Sequence, residues 1–119
     1  MSKVIDLDIL RPEPQIVKID GREIDVSFIP TGITFDLDDI VQELVKIDTK
    51  KIASSKSESK RAFDLGIKLC SIFCKTKYPE MDEEWFYKNT SPQQIARLSE
   101  AIQKSLFDIY AGIAAHTKN

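Results

Sequence analysis

The sequence predicts an α+β domain that is mostly α, with an N-terminal β-hairpin packed on a bundle of three to four helices. Three observations carry this expectation: an Asp20-Gly21 pair between two alternating apolar runs, apolar residues recurring at helical spacing over later stretches, and a length of 119 residues that suits a single domain, residues 1–119.

Residues 1–14 open the chain with Val4-Ile5-Asp6-Leu7-Asp8-Ile9-Leu10, read as an extended segment that alternates apolar with acidic residues. Residues 15–29 form the hairpin. A two-residue type I′ turn needs positive φ at both central positions, and Asp-Gly tolerates that. The turn sets Ile19 opposite Arg22, Lys18 opposite Glu23 and Val17 opposite Ile24. That register gathers Val17, Ile19, Ile24, Val26 and Phe28 on one face and faces Lys18 with Glu23 on the other. A lone hairpin is marginal in water, so its apolar face must lie against helices.

Helical spacing follows. Leu37, Ile40, Val41, Leu44 and Ile47 mark a helix over 35–48, with Asp36, Asp38 and Asp39 placed in its first turn at the positive end of the dipole. Residues 50–61 carry five bases, one acid and four serines with little to bury, and read as a flexible connection or as a basic contact for an acidic partner. Residues 62–75 are apolar over more than half of the helical circumference, leaving only Asp64, Lys68, Ser71 and Lys75 as a polar stripe. Such a helix should be central, with Phe63, Leu65, Leu69, Ile72 and Phe73 in the core. Tyr78-Pro79 stops it. Asp82-Glu83-Glu84 opens a short helix over 82–89. Ser91-Pro92-Gln93-Gln94 is a full start signal for the last helix, 92–115: Ser91 caps, Pro92 takes the first position and Gln94 reaches back to the Ser91 amide. Its main stripe is Ile95, Leu98, Ile102, Leu106, Ile109 and Ile113.

Composition narrows the chemistry. Seventeen bases against nineteen acids give a net charge of −2, which disfavours a dedicated nucleic-acid binder. No apolar run approaches the ~20 residues of a membrane helix, and the acidic opening is unlike a secretory signal, so a cytosolic, reduced protein is expected. Cys70 and Cys74 stand at i, i+4, a spacing open to metal ligation, but further ligands are missing and His116 is the one imidazole, near the end of the last helix. Buried free thiols are therefore expected, with no metal and no cofactor. The acidic triplets at helix starts could be catalytic carboxylates, yet the dipole explains them and no nucleophile or base accompanies them. No enzyme is expected.

Two apolar features remain as partner-binding candidates. Trp85, Phe86 and Tyr87 span about 200° of a helix, so either separate surfaces of the fold receive them or one awaits a partner. On the last helix Phe107 points about 120° from Ile95, with Ala96, Tyr110 and Ala114 within about 60° of it. This second apolar strip is either covered by the hairpin or the Trp85 turn, or contributes to self-association or client binding.

The apolar-acidic opening 4–10, the hairpin Gln15–Ile29 and helices ending in Asn89-Thr-Ser-Pro-Gln-Gln-Ile-Ala-Arg-Leu98 resemble the tail assembly chaperones of long-tailed bacteriophages. The resemblance implies a small helical protein without catalytic residues that coats the tape measure protein in the host cell cytoplasm, with the tail tube protein as a further contact, and that is absent from the finished virion. The basic block 50–61 departs from the acidic middle segments of that family. The alternative is a small regulatory or antitoxin-like protein acting through protein contacts or, given a basic face, DNA.

Overall fold

A computed structural model of the chain describes residues 3–47 and 54–117, the side chains of 115–117 excepted. The architecture is the expected one: among the described residues, an antiparallel two-stranded hairpin is followed by four helices. Strands β1 (Ile16–Ile19) and β2 (Arg22–Asp25) pair in the register that the Asp-Gly turn demands, Ile19 opposite Arg22, Lys18 opposite Glu23 and Val17 opposite Ile24. Asp20 and Gly21 both take positive φ, 49° and 75°. Ile19, Ile24 and Val26 enter the core and Val17 packs against it.

Phe28 does not join that face, which corrects the expected alternation. The Asp25 carboxylate accepts the Ser27 N–H (3.0 Å), the Ser27 hydroxyl (2.6 Å) and the Gln15 N–H (3.1 Å), ending β2 in a side-chain turn. The turn shifts the phase, so Ser27 and Ile29 are buried and Phe28 faces out under the Arg11 guanidinium, 4.0 Å from its ring centroid.

The N-terminal segment is also corrected. It is not extended throughout, because Leu7–Leu10 form a 3₁₀ turn in which the Asp6 carboxylate accepts the Asp8 N–H at 3.0 Å. Its described residues, 3–14, are all exposed.

Helix α1 (Thr31–Val45) begins four residues earlier than expected. Pro30, with extended backbone at φ −60° and ψ 142°, leads directly into it, and the Thr34 hydroxyl donates to the Pro30 carbonyl at 3.0 Å. Asp36, Asp38 and Asp39 therefore lie beyond the first turn, which holds no acid. Helix α2 (Lys56–Cys74) starts inside the segment expected to be a flexible connection. Ser55 caps it by accepting the Glu58 N–H at 3.4 Å. Residues 48–53, the rest of that segment and the end of the first expected helix, lie outside the described residues.

Helix α2 is central as expected, with α1 on one side and the last helix on the other. Leu65, Ile67, Leu69, Cys70, Phe73 and Cys74 fill the core, and Phe63 and Ile72 pack against it. Ser71, expected in the polar stripe, is buried. At Gly66 an added Cβ would stand 3.3 Å from the Ile95 Cγ2, so the missing side chain lets two helices come close. Helix α3 (Glu83–Asn89) is capped by Asp82, which accepts the Trp85 N–H at 2.9 Å. Helix α4 (Pro92–Thr117) is about 39 Å long at 1.5 Å per residue. Its capping box closes in both directions: the Gln94 N–H donates to Ser91 Oγ (3.2 Å) and the Ser91 N–H donates to Gln94 Oε1 (2.8 Å). Ile95, Leu98, Ile102 and Leu106 are buried, whereas Ile113 is exposed, so α4 outruns the core at its far end.

Candidate partner-binding surface

Because the buried stripe of α4 is anchored by its cap and by Gly66, the opposite flank is held rigidly outward. Phe107 is 76% exposed and Tyr110 36% exposed, and Ala96 and Ala114 are exposed along the same flank. Neither the hairpin nor the Trp85 turn covers this strip. The Tyr110 phenol is pushed above its ordinary pKa by partial burial and by the carboxylates of Asp38 and Asp39, which places the acidic flank of α1 beside it. Phe35, 71% exposed, shares that flank, being three and four residues before the two aspartates. Phe35 was missed from the sequence, although it lies about 160° from Leu37 on the wheel and so could not share its buried face.

The aromatic turn divides three ways. Phe86, at 1% exposed, is core, and this corrects its candidacy as a contact residue. Trp85 is half-buried, edge-on to Phe86 at 5.0 Å and beneath the Arg22 guanidinium at 4.9 Å. Arg22 is there because pairing puts it on the core side of the hairpin, at its tip. The neighbouring carbonyl of Glu23 accepts from Lys77 Nζ (2.9 Å) and the Tyr78 hydroxyl (3.3 Å), so the α2–α3 connection grips the outer edge of β2. Tyr87 is largely exposed but donates its hydroxyl to Asp64 of α2. That bond pushes the Tyr87 phenol up to about 12 and, together with Lys60 at 2.9 Å, holds the Asp64 carboxyl below its usual value. Trp85 and Tyr87 thus hold the fold together.

Cys70 and Cys74 are buried and free, and burial pushes both thiols up, Cys74 to about 12. Neutral thiols in an apolar site are poor nucleophiles. Among the described residues no group of three His, Cys, Asp or Glu side chains could hold a metal, and no helix is long and apolar enough to cross a membrane. The His116 side chain lies outside the description.

Two further surface features were not foreseen. Because α2 starts at Lys56, the exposed Lys56, Lys60, Arg61, Lys68 and Lys75 fall along one side of a helix rather than in a loop. Along residues 94–104 of α4, before Phe107, an open groove of about 380 Å³ runs between β1 and α4. Compared with protein-family models, curated proteins and solved structures, the chain matches none.

Proposed function

We propose that this chain is a non-enzymatic binding protein whose Phe107–Tyr110 strip receives an apolar helix of a client. In line with the resemblance drawn above, the client is the tape measure protein of a long-tailed phage, held in the host cytoplasm while the tail assembles. The observation that supports this reading most is the strip itself: aromatic side chains left uncovered on a rigid helix, bounded by the acidic flank of α1. An amphipathic helix with apolar side chains at i, i+3, i+4 and i+7 and basic residues at its rim would match both features. A tail assembly chaperone needs reversible coverage of such stripes rather than chemistry, and exposed aromatics at the centre of a small contact supply it.

Co-expression with the tape measure protein of the same genome tests this. The client should stay soluble and co-purify with the chain, and assembled tails should lack it. A tape measure protein that behaves identically with and without the chain would refute the reading.

One observation favours the second reading, a regulatory protein that meets DNA or an acidic partner: the basic side of α2. Lys60 is already paired with Asp64, which reduces that charge. Salt-dependent binding to random duplex DNA, lost on Arg61→Glu with Lys68→Glu, would support it over the chaperone reading.

A further inference from the structure

Backbone pairing leaves one edge of the hairpin unused. The Val26 N–H donates to the Gln15 carbonyl at 2.9 Å, so alternation makes Val17–Ile24 and Ile19–Arg22 the hydrogen-bonded pairs. The N–H and C=O groups of Ile16 and Lys18 therefore point away from β2. On β2 the equivalent outward carbonyl, that of Glu23, is met by Lys77 and Tyr78. Among the described residues nothing meets those of Ile16 and Lys18. This edge borders the groove between β1 and α4, which is lined on the strand by Gln15, Val17, Lys18 and Ile19 and whose walls include Leu98 and Ala101, with Lys18, Arg97 and Lys104 at the rim against one acid, Glu100. The site has the parts of a strand-accepting groove: a free edge, an apolar floor and a basic margin.

The chain also carries a segment that suits it. Val4, Ile5, Leu7, Ile9 and Leu10 are all exposed, five large apolar side chains within seven residues that bury nothing in this structure. In an extended conformation Ile5, Leu7 and Ile9 point to one side and Asp6 and Asp8 to the other. Added to β1, that strand would set the apolar trio against Val17, Leu98 and Ala101, and the two aspartates on the side of Lys18. Only the 3₁₀ turn must unwind, with its bonds from Asp8 N–H to Asp6 and from Arg11 N–H to Asp8.

Its own groove is out of reach for this arm. The chain comes in along α4, with Leu10, Pro12 and Glu13 beside Asp108–Ile113 and β1 beside Gln94–Lys104, so the arm points away from the groove. Reversing it would need a tight turn in Arg11-Pro12-Glu13-Pro14, where two prolines and the residues before them favour extended backbone. Arg11 is moreover pinned over Phe28.

We propose that residues 4–10 of one copy add as a strand to the β1 edge of a second copy, and that two copies exchange arms symmetrically. The exchange uses residues 94–104 of α4 and leaves Phe107 and Tyr110, further along the helix, outside the groove on both copies.

Sedimentation of the full chain tests this with a charge swap. The arm variant carries Asp6→Lys and Asp8→Lys, and the groove variant carries Lys18→Glu and Arg97→Glu; all four positions are exposed, so both should keep their helical circular dichroism. The wild type should form a salt-sensitive dimer, and each variant alone should dimerise about tenfold or more weakly. Mixed in equal amounts the two variants should recover the dimer, because Lys arms then meet Glu grooves and Asp arms meet basic grooves. Leu7→Asp, in a turn with no packing to lose, should also yield monomer, whereas Phe107→Asp should leave the dimer intact. A monomeric wild type, variants that dimerise as well as the wild type, or a mixture that stays monomeric would each overturn the exchange.

Discussion

The aromatic residues of α3 and those on the outer flank of α4 and α1 are equally large and equally conspicuous, yet the fold treats them differently. Trp85 lies under Arg22, Phe86 fills the core and Tyr87 is bonded to Asp64, so each has its own intramolecular role. Phe107 and Phe35 project from rigid helices with most of their surface exposed, beside a Tyr110 flanked by carboxylates. Proximity in sequence therefore says little about availability. What separates the two groups is position in the fold: Phe86 is buried, Trp85 and Tyr87 meet Arg22 and Asp64, and Phe107 and Phe35 remain largely exposed.

Substitutions in the two groups should differ most in stability. Phe86→Ala empties a fully buried core site and should cost about 3–5 kcal/mol in urea denaturation, a result that a shift under 1 kcal/mol would contradict. Gly21→Val acts on the hairpin that brings Arg22 to Trp85. An added Cβ there meets nothing within 4 Å, so its cost is conformational, from φ 75°, and should be about 1 kcal/mol or more. An unchanged melting temperature would remove the turn from the account. Arg22→Ala removes the guanidinium over Trp85 and its contact with Asp20 and should cost about 1 kcal/mol, while leaving the Phe107 strip untouched.

Tyr87 sharpens the comparison through pH. Its folded pKa, about 12, exceeds the ordinary 10.0, so the stabilisation is complete below pH 10 and is lost as pH rises toward 12. Asp64 has the opposite sign: its lowered pKa gives stability present above the ordinary carboxylate range and lost as acid protonates it. Tyr87→Phe should flatten the alkaline limb of a stability–pH profile and lower neutral stability by the amount that limb no longer loses. An alkaline limb identical to the wild type would show that the Asp64 bond does not form in solution.

Much of this was legible in the sequence where a short-range rule applied. Asp20-Gly21 set the hairpin register, Ser91 and Gln94 marked the start of α4, and the angular offset of Phe107 from Ile95 separated strip from core. The starts of α1 and α2 were hidden for a different reason. Pro30 caps without a side-chain bond, and Lys56–Arg61 has good helix formers but no apolar period to reveal them. Phe28 was misplaced because a side-chain turn at Asp25 interrupts the alternation, and Trp85, Phe86 and Tyr87 could be sorted only once the hairpin and α2 had positions. The unused edge of β1 depends on α4 lying alongside it, a tertiary fact that no local pattern encodes.

The central claim is that the Phe107–Tyr110 strip exists for a partner and not for the fold. It is tested most directly by Phe107→Asp, followed in parallel by urea denaturation and by titration with an apolar helical segment of the tape measure protein. The expected result is a stability within about 0.5 kcal/mol of the wild type, as for an exposed position, together with loss of binding. Unfolding of the variant would place Phe107 in the core, and undiminished binding would place the client elsewhere; either would contradict the claim.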